Sequence, residues 1–407
     1  MKGQNLRQLY ESLGPRQCVG LLSENLQSGE FKATDFSLRE LAEAFCGPEW
    51  VRKLHESAYS GRLVHLEEVG GGEAIDVSAF SNITGQILYS KILDGWQQPG
   101  FIGDMLFETV DSKLDGEKFP WLGHVKGEGE AIDPGKEYPD TSFGERYINT
   151  PSTTKYGMTI SITKEAVFFD RTAQMLMRAE EIGERLRMGK EKRMLDVFIG
   201  QVNNYSFMGN SYNTYQTTAV STNLNNWVNA KTSLPLVDWT SVENAELLFS
   251  EILDPDTGNP IMLDPDTLVV MPAKFHTARR IVHAEQVETI FPTYAGSGTS
   301  TSINSPAPGN VKFTTPNPLK NYEVITSNIL YQRVKLVDPT NGKDWWFITD
   351  SKRKPFVYVR NWDITVVPAP SQNEAEFSRD IVARWKCSER GVAGVWDPRR
   401  VAFLKNA

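Results

Sequence analysis

Apolar residues recur at helical spacing from the start of the chain. Leu6, Leu9, Tyr10 and Leu13 form one stripe, which Gly14-Pro15 stops. Ser37 and Glu40 make a capping box ahead of Leu41, Ala42 and Phe45. Gly47-Pro48 breaks that helix, and Trp50 to His55 resumes it. Gly70-Gly71-Gly72 reads as a linker, because no Gly-Lys-Ser/Thr follows it to make a phosphate loop. A helix is expected from about Val77 to Asp94, with Phe80, Ile83, Ile87 and Lys91 on one stripe and Gly95 as its stop. Residues 101–122 read as extended, with turns at Asp115-Gly116 and Phe119-Pro120.

Residues 125–158 break the pattern. Short alternating stretches flank a central Asp133-Pro134-Gly135 turn, so the segment predicts a hairpin with few aliphatic side chains. Ordering some thirty residues costs on the order of 30–60 kcal/mol of conformational entropy. The apolar side chains are Ala131, Ile132, Tyr138, Phe143, Tyr147, Ile148 and Tyr156. Burying all of them returns roughly 10–20 kcal/mol, and hairpin hydrogen bonds narrow that gap without closing it. Such a hairpin is either mobile or laid on another surface, and a neighbouring copy is the natural one.

The strict alternation of MTISIT (158–163) predicts a strand. A long helix follows, from Glu165 or Asp170 to Val202, a rod of roughly 45–50 Å. One face carries Met175, Leu176, Ala179, Ile182, Gly183, Leu186, Met194, Val197 and Phe198; the other carries Arg178, Glu181, Arg185, Lys190 and Lys192. Glu181 and Arg185 are an i,i+4 pair, and Gly183 and Gly189 allow a bend or a close helix contact. Residues 203–238 are polar and read as a loop-like connection. Thr240 and Glu243 suggest a capping box for a helix through Leu253. Strands at 268–272, 322–327, 344–350 and 356–367 then alternate with a helix at 273–284, while 293–321 reads as a long exposed loop. An alternating stretch, FSRDIVARWKCS, leads to the end. The mixture predicts an α+β fold.

Composition and charge narrow the function. The 407 residues are 40% apolar and 23% charged, the balance of a folded chain. A net charge of -8 argues against sequence-reading DNA binding, which needs a basic face. The opening MKGQNLRQLYESLGPRQ has no secretory core, and no apolar run nears the ~20 residues of a membrane span. Cys18, Cys46 and Cys387 are odd in number and widely spaced, which fits free thiols.

Candidate chemistry is thin. His276 and His283 lie two helical turns apart, too far to share a metal without a third ligand. Asp254, Asp256 and Asn259 begin like a calcium loop, but Gly258 is misplaced and Pro265 stands where a glutamate is needed. Glu128 and Glu130 share a strand face in a polar setting with nothing to raise a pKa. Lys352, Arg353 and Lys354 read as a solvated hairpin tip, or as a charge contact to a neighbour or to DNA. Trp345 and Trp346 alternate in a strand, so one is expected in the core and one free to meet a partner. The sequence therefore predicts no enzyme, no cofactor and no metal site.

In order along the chain, WLGHVKGEGEAI, TTKYGMTISITKEAVFFD, RAEEIGERLRMGKEKRML, TLVVMPAKFHTARRIV, YEVITSNIL and FSRDIVARWKCSERGVAGVWDPRRVAFL resemble the major capsid proteins of tailed bacteriophages, the HK-97 type fold, nearest to the Mu-type head subunit. The resemblance spans roughly residues 75–407. It implies an N-terminal helical arm at 1–75, a lead into the peripheral domain at 76–122, and an extension-loop hairpin at 123–158 lying over an adjacent subunit. It further implies a peripheral domain at 159–238 with its spine helix at 165–202, an axial domain at 239–367, and a return to the peripheral domain at 368–407. Some relatives join subunits through a lysine on the loop. Lys126 or Lys136 stands there, yet no asparagine and glutamate match, so no self-crosslinking is expected.

The implied function is structural: pentamers and hexamers closing an icosahedral shell around double-stranded DNA in the virion, assembled in the host cytoplasm. Scaffold, portal and decoration proteins are implied partners, DNA is held only non-specifically, and no membrane is involved. The contacts expected between subunits are Glu128, Lys136, Tyr138, Glu145 and Arg146 on the loop, Arg178, Glu181 and Arg185 on the spine, and Lys352 and Arg353. The alternatives are an encapsulin-type nanocompartment shell or, further off, a carboxylate-based hydrolase.

Overall fold

The computed structural model describes residues 12–13, 15–28, 37–46, 74–122, 145–219, 227–254, 258–292, 310–317, 319, 322–369 and 381–406. In chain order it begins with α1 (Pro15–Gln27), α2 (Leu38–Cys46), α3 (Ala74–Trp96) and α4 (Gly103–Leu106). Then come β1 (Phe107–Asp111), β2 (Lys118–Leu122), β3 (Glu145–Asn149), β4 (Thr154–Thr163), α5 (Lys164–Phe168) and α6 (Thr172–Phe198). Short strands β5 (Tyr205–Phe207), β6 (Asn210–Tyr212) and β7 (Ala230–Lys231) precede α7 (Trp239–Ser250), β8 (Thr267–Val270) and α8 (Phe275–His283). The rest is β9 (Gln286–Pro292), β10 (Asn310–Pro316), β11 (Glu323–Thr326), α9 (Asn328–Val337), β12 (Trp346–Thr349), β13 (Phe356–Pro368), β14 (Ile381–Val395) and β15 (Val401–Leu404). The architecture is α+β, as the sequence predicts.

Among the described residues the strands form one sheet in the order β1-β13-β14-β4, another as β11-β8-β12-β15-β7, a third as β2-β3-β5-β6, and the ribbon β9-β10. β8 and β12 are buried at every position, the signature of central strands covered on both faces. That is why Trp345 and Trp346 do not divide between core and partner: they are 5% and 0% exposed.

Helix α6 joins the two larger sheets. Its first half, through Met175, Leu176, Ala179 and Leu186, packs with α3, Ile160, Ile162 and Trp385. Its second half, through Met194, Leu195, Val197 and Phe198, enters the core of the five-stranded sheet. The Phe198 ring lies 4.6 Å from Phe347 of β12 and 5.5 Å from Phe356 of β13, touching both sheets.

Several expectations need correction. The long helix is two helices, because Asp170 takes φ 47 and breaks the run between α5 and α6. The rod is therefore 27 residues, about 40 Å. Lys190 does not face solvent; it is 6% exposed, since the helical period places it between Leu186 and Met194 on the inner stripe. Gly95 is not a helix stop, because α3 runs on to Trp96. The cap of α7 is Asp238, not Thr240: its carboxylate accepts from the N–H groups of Thr240 and Ser241. By contrast Ser37 caps α2 as expected, accepting from Glu40 N at 3.3 Å.

Phe119-Pro120 is no turn but part of β2, where Pro120 pairs with Tyr147 on the edge of its sheet, a place that needs no inward N–H. Lys352-Arg353-Lys354 is not a hairpin tip, because β12 and β13 belong to different sheets and the turn is a crossover. Within the stretch read as an exposed loop at 293–321, β10 returns along β9. The stretch 203–238 is not all loop either. Asn229 is fully buried; its Oδ1 accepts from Gln216 N, and its Nδ2 donates to the carbonyls of Thr214, Pro398 and Val401.

Cys18 and Cys387 are buried free thiols. Burial pushes the Cys387 thiol up to about 11 and moves Cys18 in the same direction. At about pH 8 the folded chain is expected to leave Cys387 unalkylated while the unfolded chain reacts to completion, as read by peptide mass spectrometry. Equal labelling of both forms would contradict its burial.

Candidate assembly surface

α6 is stiffened by ion pairs before it presents anything to a partner. Arg187 and Lys190 both reach Asp104 of α4, at 2.5 and 3.7 Å. Lys190 also sits 4.4 Å over the Tyr358 ring, and Arg187 5.0 Å over Phe101. Burial pulls the Lys190 pKa down, with Asp104 opposing. Glu191 is buried and accepts from the backbone N–H groups of Ile102 and Gly103 at 2.9 and 3.0 Å. Glu389 of β14 pairs with Arg193, which lies 3.6 Å over Tyr156 of β4. Burial raises the pKa of both carboxyls, against those same partners. Each is committed to its own bond, Glu191 to two amides and Glu389 to a guanidinium, which suits bracing rather than proton transfer. Arg333 of α9 holds Asp196 at 2.5 Å, bracing the other end.

The outer face of α6 carries the predicted group. Glu181 and Arg185 pair at 2.7 Å with both side chains more than half exposed, and Arg178 is exposed beside them. In water such a pair contributes little. The sequence reading missed Met177 and Met188, 70% and 39% exposed. Eleven residues are three helical turns, so both lie on the Glu181 line, and a helical projection would have found them.

The other predicted contacts lie elsewhere. Arg146 stands over the Phe207 ring at 5.8 Å. Glu145 belongs to β3, opposite Leu122. Ile148 is buried against the body and the Phe119 ring meets Trp396 at 5.3 Å, so the stem of the hairpin is anchored at its base. Lys352 reaches Asp264 at 3.4 Å, and Arg353 donates to the Met262 carbonyl at 3.4 Å. Glu128, Lys136 and Tyr138 lie outside the described residues, as do Lys126, Glu130, Gly70 to Gly72 and the stretch Trp50 to His55. Among the described residues no group of His, Cys, Asp and Glu could hold a metal ion, and no helix is long and apolar enough to cross a membrane.

Residues 148–404 match the phage capsid protein family. No curated protein matches the chain. Among solved structures, the capsid of the cyanophage P-SCSP1u is 12% identical, over 76% of this chain and 89% of that one, at a TM-score of 0.43. A chain of Mycobacterium phage Ogopogo is 11% identical over 77% and 94%, at 0.40. The virus-like particle from Pyrococcus furiosus is 12% identical over 78% and 97%, at 0.38.

Proposed function

The chain belongs to the phage capsid protein family, and from that premise we propose that it closes an icosahedral shell around double-stranded phage DNA as pentamers and hexamers of itself. The outer stripe of α6 carries the proposal. Methionines 70% and 39% exposed flank the Glu181–Arg185 pair on one line of a braced rod. Burying the methionines against another copy supplies apolar area, and the charges set register. The hairpin at 123–158 acts as an extension loop over the next subunit, with Glu128, Lys136, Tyr138, Glu145 and Arg146 as its contacts. Residues 239–367 act as the axial domain and α6 as the spine of the peripheral domain. Each contact is weak alone, and closed symmetry multiplies it. Assembly takes place in the host cytoplasm, with scaffold, portal and decoration proteins as partners. DNA is contained without sequence recognition, in keeping with the net charge of -8.

Expression of the full chain with its scaffold, followed by electron microscopy, tests this. Closed megadalton shells are expected; a clean monomer at high concentration would overturn it. Met177→Asp with Met188→Asp is expected to leave thermal unfolding nearly unchanged, since exposed substitutions stay within about 0.5 kcal/mol. Particle yield should nevertheless fall at least tenfold, and undiminished yield would remove the stripe from the interface.

A further inference from the structure

The outer edge of β4 is built unlike the other sheet edges. β4 is ten residues long and ends its sheet, pairing with β14 on one side only. Its run TKYGMTISIT holds no proline and one charge, Lys155. Thr154, Lys155, Gly157, Met158, Thr159 and Ser161 are exposed. Ile160 and Ile162 are buried beneath and hold the strand in place. Alternate N–H and C=O groups of a terminal strand point away from its neighbour, and among the described residues no backbone bond satisfies them on that side.

Edges elsewhere among the described residues are shorter, the longest being the seven-residue β9 and β10, which carry Glu288 and Lys312. β1 has five residues with exposed Glu108 and Asp111, β2 carries Pro120, and β11 and β7 have four and two residues. A long, regular, nearly uncharged edge is a template for another strand unless something native covers it.

We propose that β4 pairs antiparallel with β4 of a second copy, fusing two sheets across a two-fold axis. The strand is self-complementary. A register centred on Thr159 keeps each residue on its own face across the axis, setting Thr159 against its counterpart and Gly157 against Ser161. Lys155 then faces Thr163, so the two ammonium groups stand at opposite ends of the ribbon, roughly 25 Å apart, and no like charges meet. An isologous contact of this kind closes on itself and leaves no further edge to grow. This rests on the shell reading and names one of its contacts.

Hydrogen exchange on the full chain tests it, comparing assembled particles with subunits dissociated from them. Alternate amides within 155–161 are expected to exchange freely in subunits and about 100-fold or more slowly in particles. The variant Thr159→Cys, at an exposed position on the axis, is expected to link chains in pairs when particles are oxidised. Particles with freely exchanging 155–161 would overturn the pairing alone. Protection without the cross-link would give the edge to another segment and overturn self-pairing. Failure to form any particles would remove the shell reading and this inference with it.

Discussion

Gly183→Ala is expected to destabilise the chain by about 3 kcal/mol or more and to abolish particle formation. At the crossing of α3 and α6 the two backbones touch. A Cβ on Gly183 would lie 2.1 Å from the Ile92 carbonyl oxygen and 2.9 Å from Trp96 N. One on Gly95 would lie 2.2 Å from the Glu180 carbonyl oxygen. Both neighbours are main chain within helices, so neither can yield by changing a rotamer. Parting the helices would open the core formed by Ile87, Ile92, Ala179 and Leu186. Gly95→Ala is expected to do the same, and the two together not to compensate, because each added methyl meets the opposite backbone. Gly20→Ala, which meets nothing within 4 Å, is the control. Thermal unfolding and electron microscopy read the result, and a wild-type midpoint for Gly183→Ala would mean that the helices are farther apart.

Arg193→Ala is expected to cost about 3 kcal/mol, because it strands Glu389, whose side chain is 3% exposed. The loss depends on pH in a defined direction. Burial already raises the Glu389 pKa above its ordinary 4.5, with Arg193 opposing. Without Arg193 it rises further. A group with a raised folded pKa stabilises the fold below its unfolded value and loses that contribution as pH rises through the folded one. The variant should therefore come closest to wild type near the ordinary value of 4.5 and fall furthest behind above neutrality. Replacing both partners with apolar residues, Arg193→Met with Glu389→Leu, is expected to recover most of the deficit. Denaturant unfolding across pH measures all three, and a deficit that is flat with pH would exclude a stranded carboxylate as its cause.

Much of the local structure was legible along the chain. Period-two alternation marks β4 and β14, the helical period marks α3 and α6, and Ser37 announces the cap of α2. The Glu181–Arg185 pair follows from spacing alone. Lys190 was misread as facing solvent from its charge, although its place in the period between Leu186 and Met194 puts it on the inner stripe. These features depend on residues within a few positions of one another, and local geometry decides them.

Other features depend on neighbours far along the chain, and only the folded structure decided them. Gly95 has the look of a helix stop, yet its role is set by Glu180 on another helix. The turn at 352–354 joins two strands without showing that they belong to different sheets, because strand partners are chosen by non-local hydrogen bonds. Asn229 sits in a polar run, and what makes it a core residue is the arrival of Pro398 and Val401 from the end of the chain. Periodicity reveals which side of an element turns inward. What it meets there, and which edge is left uncovered, follows from packing between distant segments.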